Sequence, residues 1–229
     1  MTDKAALPSL DGRLMSAVGY VRGGVVADVG TDHAYLPVYL VATGRAESAV
    51  ASDINRGPIE NAKETVRKYG LENKITTLIA DGLDGIEPYH PNDVIIFGMG
   101  GELIATIVDR AKWTREGTRL ILQPMTKPEA LRDYLGETGF RIVYEMLSEA
   151  DGRVYQTICA EYDGTKREYH GLARLLGEKN IECGGELFRK LAKRLLSTYE
   201  TRRRGKSVSG ADTSEEDAIL SELAQLGIK

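Results

Sequence analysis

The chain has 229 residues, 42% of them hydrophobic, and a formal net charge of −4. A chain of this length can bury one full α/β core and still supply a smaller additional unit. No apolar run approaches the roughly 20 residues that a membrane span needs, and the opening MTDKAALPSL lacks the apolar core of a signal peptide. We therefore expect a cytoplasmic protein without membrane contact.

Strands alternate with helices from residue 10 to about residue 162. The predicted elements in chain order are a helix over 10–21, a strand over 25–29, a helix from about 35, a strand over 48–53, a helix over 58–69, strands over 75–80 and 94–97, a helix after 101, a strand over 118–122, a helix over 128–137, and strands over 141–147 and 154–160. Such alternation builds a parallel sheet. Because Asp151-Gly152 is a hairpin signal, the sheet should end in an antiparallel strand. Seven strands in this order predict an α/β, Rossmann-like class I methyltransferase fold.

The first strand runs into a tight glycine turn, VVADVGTDHA at 25–34. The Asp28-x-Gly30 turn lets backbone N–H groups and a helix N-terminus face a ligand. Asp53 follows 25 residues after Asp28, about where a ribose-binding acid is expected. The G-x-G-x-x-G spacing for a pyrophosphate is missing, however, and the additional acid Asp32 would repel phosphate. An acid-lined turn suits a cationic ligand such as the sulfonium of S-adenosylmethionine.

Three acids follow successive predicted strands, and we expect them to surround one crevice at the carboxyl ends of those strands. Asp28 is expected near the methionine moiety, Asp53 at the ribose hydroxyls, and Asp81 with the backbone of Gly82 and Leu83 at the adenine edge. The alternative for each acid alone is a helix cap or a turn former.

The fourth strand ends in the glycine-rich segment 97–101, where this fold presents the methyl acceptor. Three glycines in four residues indicate either dihedral angles closed to other residues or a close approach that leaves no room for a Cβ. A flat base could lie against such a floor. The alternative is a plain tight loop before a helix.

The charge is distributed unevenly along the chain. Residues 1–162 carry −6, residues 163–206 carry +6 and residues 207–229 carry −4. Apolar residues beyond Tyr162 recur at helical spacing, so we predict a methyltransferase domain over 1–162 and a basic helical appendage over 163–229, with a flexible break at 205–210. The basic side chains could face a phosphate backbone. A solvated helix face with ion pairs such as Glu186 with Lys190, or an oligomerisation surface, would have the same pattern.

Several motifs together resemble a known family. They are LDGRL at 10–14, DVGTDHAYLP at 28–37, SDIN at 52–55, ADGL at 80–83, GMGG at 98–101 and QP at 123–124. Residues 8–162 are similar in these motifs to the bacterial tRNA (adenine-N1)-methyltransferases that modify adenine 22, the TrmK family, and the helical tail matches in type. The resemblance implies a class I fold, S-adenosyl-L-methionine as methyl donor, tRNA as substrate and no metal. Consistent with the last point, Cys159 and Cys183 form no metal-ligand pattern.

The candidate site residues fall into three groups. Those assigned to catalysis are Arg13, Met99, Gly100 and Gly101. Those assigned to the cofactor are Asp28, Gly30, Thr31, Asp32, His33, Asp53, Ile54, Asp81, Gly82, Leu83 and Gly98. Those assigned to the substrate are Tyr35, Gln123, Arg189, Lys193, Arg202 and Arg203. His33 could contact the cofactor or the base, or merely cap the turn, while Tyr35 and Met99 offer stacking surface but could equally be core residues.

The sequence therefore predicts an enzyme that methylates N1 of an adenine in tRNA and acts as a monomer or weak dimer. Two alternatives stay open. One is a class I methyltransferase with a small-molecule or protein acceptor, whose tail serves dimerisation. The other is a non-catalytic RNA-binding module that senses the cofactor.

Overall fold

The computed structural model describes residues 6–229, and part of the signal-peptide prediction falls on residues 1–5, outside that range. The strands are β1 (Val25–Val29), β2 (Ser48–Asp53), β3 (Ile75–Ile79), β4 (Asp93–Gly100), β5 (Arg119–Thr126), β6 (Phe140–Ala150) and β7 (Arg153–Tyr162). They form one sheet in the order β3-β2-β1-β4-β5-β7-β6. The first five strands are parallel, and β7 is antiparallel to both of its neighbours. The predicted class I fold is confirmed, and its topological switch lies between β1 and β4.

Five helices cover the two faces of the sheet. They are α1 (Gly12–Val18), α2 (Tyr35–Ala42), α3 (Arg56–Lys68), α4 (Gly101–Arg110) and α5 (Pro128–Glu137). Successive strand residues point to opposite faces, so Ile95 packs with the core under α1–α3 while Ile96 packs with the core under α4 and α5. Because both faces are buried, the strands read as continuous apolar runs, which is why β1 and β2 were predictable to the residue.

The first helix is shorter than the predicted 10–21. Asp11 caps it, since its Oδ1 accepts a hydrogen bond of 2.7 Å from the backbone N–H of Leu14. Gly19 follows its last residue as the C-cap. The apolar residues beyond Gly19 therefore belong to the connection into β1 rather than to the helix.

Four further helices follow β7 and confirm that the tail is helical. They are α6 (Gly171–Leu176), α7 (Glu178–Cys183), α8 (Gly185–Ser209) and α9 (Ser214–Gln225). They enclose an apolar cluster of their own, to which Leu147 of β6 also packs. Its buried members are Leu172, Leu176, Phe188, Ala192, Tyr199, Ile219, Leu223 and Ile228. The division into two domains at residue 162 stays a prediction.

The predicted break at 205–210 is wrong in its position. Helix α8 continues through Gly205 and ends at Ser209, and Gly210 adopts the left-handed conformation with φ +69° at the C-cap. One helical glycine costs about 1 kcal/mol relative to alanine. Packing against α9, including an ion pair of 2.8 Å between Lys206 and Glu216, offsets that cost.

None of the helices within residues 6–229 combines the length and apolar character required to cross a membrane.

Candidate active site

The turn after β1 is fixed to the neighbouring strand by its backbone. The N–H groups of Gly30 and Thr31 both donate to the carbonyl of Ser52, over 2.8 and 2.9 Å. Gly30 has φ +79°, so the tight reversal requires a residue without a Cβ. The turn borders a cavity of about 270 Å³ lined by Arg13, Asp28, Phe97 and residues 29–36. The cavity lies at the carboxyl end of β1, beside the topological switch.

Asp28 is the buried charge of this cavity, with 8% of its surface exposed. Burial raises the pKa of its carboxyl to about 6, whereas a hydrogen bond from Thr31 and the charge of Arg13 act in the opposite direction. A buried carboxylate without a full counter-charge is costly. It is a favourable place for a ligand that carries positive charge.

Arg13 reaches the cavity from α1, and the start of that helix is held against the end of β6. A Cβ on Gly12 would collide with the carbonyl oxygen of Glu149, so only glycine allows this approach. One turn later, the hydroxyls of Ser16 and Thr157 form a buried hydrogen bond of 2.8 Å. The Arg13 guanidinium consequently lies next to the carboxyl end of β4, where a Cβ on Gly98 would be 3.6 Å from Nη1.

The side chains assigned to the rest of the cofactor lie at the ends of β2 and β3. Asp53 Oδ1 accepts a hydrogen bond of 2.7 Å from the N–H of Asn55, which leaves Oδ2 available, and the adjacent Ile54 is 60% exposed. Asp81 Oδ2 is 3.0 Å from Nη1 of Arg110. The three acids do follow adjacent strands, but neither Asp53 nor Asp81 lines the cavity that contains Asp28.

Gly82 and Leu83 are both buried. Gly82 has φ +62°, and a Cβ there would press on the side chain of Ile107. The backbone of this pair, rather than its side chains, is what it can present to a ligand.

The glycines at the carboxyl end of β4, Gly98 and Gly100, and at the start of α4, Gly101, have separate structural reasons. Gly98 has φ +80°, and a Cβ on Gly101 would collide with the carbonyl of Lys127. Met99 lies against Gly30, since its Cε occupies the space of a Cβ there. Gly100 is half-buried beside the hydroxyl of Thr126. Both explanations for the glycine-rich segment are therefore correct. The contact of Met99 with Gly30 also joins the end of β4 to the turn after β1.

Gln123 is fully buried, so its side chain positions other groups instead of facing a substrate. Its Oε1 accepts a hydrogen bond of 3.2 Å from the N–H of Gly98, and its Nε2 donates to the carbonyl of Pro124 over 2.9 Å. The side-chain amide of Gln123 thus ties the carboxyl end of β4 to β5.

His33 and Tyr35 form a stacked pair at the mouth of the cavity, with ring centroids 5.1 Å apart and planes inclined by 12°. Nε2 of His33 is 3.3 Å from Oδ2 of the exposed Asp32. Tyr35 is 42% exposed. The pair offers a flat aromatic surface to solvent.

The basic residues assigned to the substrate differ in how far their charge is compensated. Arg203 Nε is 2.6 Å from Asp217, and Arg202 lies over the ring of Tyr199. Arg189 and Lys193 are exposed and form no ion pair with another residue in 6–229. Of the four, Arg203 alone is paired with a carboxylate within residues 6–229, so Arg189, Lys193 and Arg202 keep their charge uncompensated.

Sequence reasoning missed Gly12 and the residues that seat α1. Asp11 carries a signal that could have been used, because an Asp before an apolar run is a helix N-cap pattern. The close approach of Gly12 to Glu149 joins positions 137 residues apart, and no local pattern indicates it.

The cavity suits S-adenosylmethionine in its chemistry. Within the cavity, the buried Asp28 carboxylate can meet the positively charged end of the methionine part. Outside the cavity, at the end of β2, Asp53 Oδ2 offers a polar contact. Within residues 6–229 no group of three or more His, Cys, Asp or Glu side chains is placed to hold a metal ion. Fold and site together define a class I methyltransferase.

Comparison with known proteins gives the family. The profile described as "Methyltransferase domain" matches residues 10–158. The tRNA (adenine(22)-N(1))-methyltransferase of Bacillus subtilis (strain 168) is 37% identical over 170 residues, 73% of this chain and 71% of that protein. The chain belongs to the family of bacterial tRNA (adenine(22)-N1)-methyltransferases, TrmK, and the resemblance seen in the sequence is confirmed.

Solved structures support the assignment over the tail as well. The crystal structure of B. subtilis TrmK superposes with a TM-score of 0.80 at 33% identity and covers 95% of each chain. A Streptococcus pneumoniae protein solved in complex with S-adenosyl-L-methionine superposes with a TM-score of 0.84 at 28% identity, over 95% of this chain and 99% of that one.

Proposed function

We propose that this protein transfers the methyl group of S-adenosylmethionine to N1 of adenine 22 in tRNA, in the cytoplasm. The observation that carries the proposal is the buried Asp28 carboxylate in a cavity that also contains Arg13 and adjoins the glycine-rich end of β4. Membership of the TrmK family supports the choice of acceptor.

Each part of the cofactor has residues suited to hold it. Asp28 and the turn from Gly30 to His33 would hold the methionine part, Asp53 with Ile54 the ribose, and the segment 81–83 the adenine. Bound in this way, S-adenosylmethionine supplies an electrophilic methyl group on a positively charged sulfur. At neutral pH Asp28 is ionised, because its pKa of about 6 lies below the working range.

The protein's contribution to the reaction is mainly positioning. Adenine N1 has an in-plane lone pair and is mostly unprotonated at neutral pH, so it needs no strong general base. Aligning two bound reactants is worth about 7–11 kcal/mol of barrier. Gln123 contributes by fixing Gly98, and with it the end of β4 that includes Met99 and Gly100. Oriented dipoles such as the carbonyls of this segment stabilise the charge that develops on the base.

The basic residues of the tail favour a large polyanionic substrate. N1 lies on the Watson–Crick edge, so a paired adenine must first be exposed, at a cost of a few kcal/mol. Arg189 and Lys193, which are exposed and uncompensated, would offset that cost through phosphate contacts. Arg203 would contribute less, because the carboxylate of Asp217 already pairs with it, whereas Arg202 lies over the ring of Tyr199 and keeps its charge.

The test is to incubate the protein with S-adenosylmethionine and unmodified tRNA and to identify methylated nucleosides by mass spectrometry after digestion. N1-methyladenosine should appear, should vanish with Asp28→Ala, and should be missing from tRNA in which adenine 22 is replaced by guanine. Tight donor binding with no RNA product would favour another acceptor. Donor binding with no turnover on any acceptor would indicate a cofactor-sensing module.

Deleting residues 163–229 is a poor test of the tail, because α6 covers the buried Arg132. The guanidinium of Arg132 donates to the carbonyls of Arg174 and Leu175, and the deletion would remove these partners. The double variant Arg189→Gln with Lys193→Gln leaves the packing intact. It should raise the KM for tRNA without changing the affinity for the donor.

A further inference from the structure

A second cavity lies between α8 and the end of the sheet that carries the active site. It has a volume of about 260 Å³ and is lined by five parts of the chain: the end of β5, the start of α5, the start of β7, the end of α6 and the middle of α8. The residues that matter for its chemistry are Met125, Arg153, Tyr155, Arg194 and Thr198. None of them belongs to the cavity around Asp28.

Two arginines give this cavity a positive character. Arg153 and Arg194 are exposed, and neither forms an ion pair with another residue of the described chain. Their neighbour Lys190, by contrast, is 3.1 Å from Glu149 and 3.5 Å from Glu186. Glu129 is the one carboxylate among the lining residues. Two free guanidinium groups on one cleft are suited to phosphate.

The walls of the cavity offer surface for a flat ring. Tyr155 is half-buried, and Met125 is 43% exposed. Aromatic side chains stack with bases of any sequence, and the thioether of methionine adapts to flat apolar partners. Phosphate-binding arginines beside a stacking surface are the combination that a nucleotide in single-stranded RNA requires.

The position of the cavity relates it to the acceptor. Its wall begins at Pro124 and Met125, directly after Gln123, whose Oε1 holds Gly98. Met125 is two residues beyond Gln123, about 7 Å along the strand. An RNA chain whose target base lies at the carboxyl end of β4 would therefore have its neighbouring nucleotides within reach of the cavity.

We propose that this cleft binds a nucleotide that flanks the target adenine in the tRNA chain. The base stacks on Tyr155 and Met125, and Arg153 and Arg194 bind the phosphates on either side. Holding a neighbour in this way keeps the target nucleotide out of the helix, so the cleft contributes to base exposure and not to methyl transfer itself. This inference rests on the proposed function.

Arg194 is distinct from the tail residues already discussed. At 100° per residue, it projects about 140° around α8 from Arg189 and about 100° from Lys193. Arg189 and Lys193 would therefore contact tRNA on another side of the helix. Thr198, four residues after Arg194, lies on the same side and lines the same cleft.

The experiment measures KM for tRNA, kcat and the dissociation constant of the donor for the double variant Arg153→Gln with Arg194→Gln, and for Tyr155→Leu. Arg67→Gln is the matched control, because Arg67 is an exposed arginine near the end of α3, beside the opposite edge of the sheet. The double variant should raise KM by roughly tenfold and lower the slope of log affinity against log salt by about 1.4–1.8, the value for two phosphates. Tyr155→Leu should raise KM with no change in the salt slope, and Tyr155→Phe should behave like the wild type.

The outcomes separate this inference from the proposed function. If the wild type forms no N1-methyladenosine in tRNA, the proposed function fails. If the wild type is active and the double variant matches Arg67→Gln in KM and salt slope, the cleft does not bind RNA. An unchanged melting temperature and donor affinity show that each variant is folded. Should the double variant unfold, Tyr155→Leu compared with Tyr155→Phe decides the question alone.

Discussion

Arg132 of α5 and Glu145 of β6 form a buried ion pair where the methyltransferase domain meets the helical tail, and each partner is also hydrogen-bonded to the tail backbone. Nη2 and Nε of Arg132 lie 2.7 and 3.0 Å from Oε1 of Glu145, and the two side chains are 0% and 1% exposed. Nη2 also donates to Gln156 over 2.7 Å, and the second carboxylate oxygen accepts from the N–H of Lys179 over 3.1 Å. With its hydrogen bonds satisfied on both sides, the pair fixes the tail on the sheet.

The first prediction concerns this pair. Arg132→Met should lower the free energy of unfolding by about 3–5 kcal/mol, because it leaves the Glu145 carboxylate buried without a counter-charge. Urea denaturation of the full chain measures the change. Arg174→Met, which removes a partly exposed pair with Asp133, should cost no more than about 1 kcal/mol.

A double variant completes the test of the pair. Replacing both partners, Arg132→Met with Glu145→Met, should restore part of the lost stability, since no isolated charge then remains buried. A loss for Arg132→Met as small as that for Arg174→Met would contradict the assignment.

The second prediction uses the pKa of Asp28. Folding raises this pKa from 3.8 to about 6, so between these values the folded protein keeps a proton that the unfolded chain releases. Stability is therefore lost as the pH rises through this window. Asp28→Asn should be more stable than the wild type at pH 7, by an amount on the order of 3 kcal/mol, and the difference should disappear once the pH falls below the unfolded pKa of 3.8.

Chemical denaturation of both proteins at several pH values provides the measurement. The variant should also lose affinity for S-adenosylmethionine, which would separate stability from function at one residue. For the stability comparison alone, Asp53→Asn serves as the control, because Asp53 is only partly buried. If Asp28→Asn were less stable than the wild type at pH 7, the burial argument would be wrong.

The third prediction links Arg13 to the same carboxyl. The charge of Arg13 lowers the pKa of Asp28, so Arg13→Gln should raise that pKa further. Donor binding by an ionised Asp28 should then weaken at pH 6 more than at pH 8, and the midpoint of its pH dependence should move upward. Calorimetric titration across this range measures the midpoint. Arg13→Lys should leave it nearly unchanged, and an equal loss for Arg13→Gln at all pH values would show that its charge acts elsewhere.

Much of the fold follows from local sequence patterns. The buried strands β1 and β2 are short apolar runs that end in turn residues, and the hairpin signal at Asp151-Gly152 identifies the antiparallel end of the sheet. The break in the tail was misplaced because Gly205 is a local signal that packing against α9 overrides. Helix propensity is a weak determinant when tertiary contacts oppose it.

The candidate site was predictable in its strand ends and not in its supports. Asp28, Asp53 and Asp81 could be placed at one edge of the sheet because the carboxyl ends of parallel strands meet there, and their roles toward a ligand stay predictions. The burial of Gln123, the pairing of Arg110 with Asp81 and the Arg132–Glu145 pair depend on contacts between distant parts of the chain. These contacts decide which polar groups are free to meet a ligand.

The fourth prediction concerns Gly12, whose contact with β6 sets the position of Arg13. A Cβ at this residue would collide with the backbone carbonyl of Glu149, which cannot rotate away as a side chain would. Gly12→Ala should therefore displace α1 and lower the free energy of unfolding by about 1–3 kcal/mol, although alanine has the higher helix propensity. Because α1 carries Arg13, the same variant should weaken donor binding.

Gly19→Ala is the matched control: Gly19 has φ −68° and open space around its Cα, so alanine should be tolerated or stabilise the protein slightly. Thermal unfolding and donor titration of the two variants check both effects, and equal behaviour would show that the approach of α1 to β6 is not what positions Arg13.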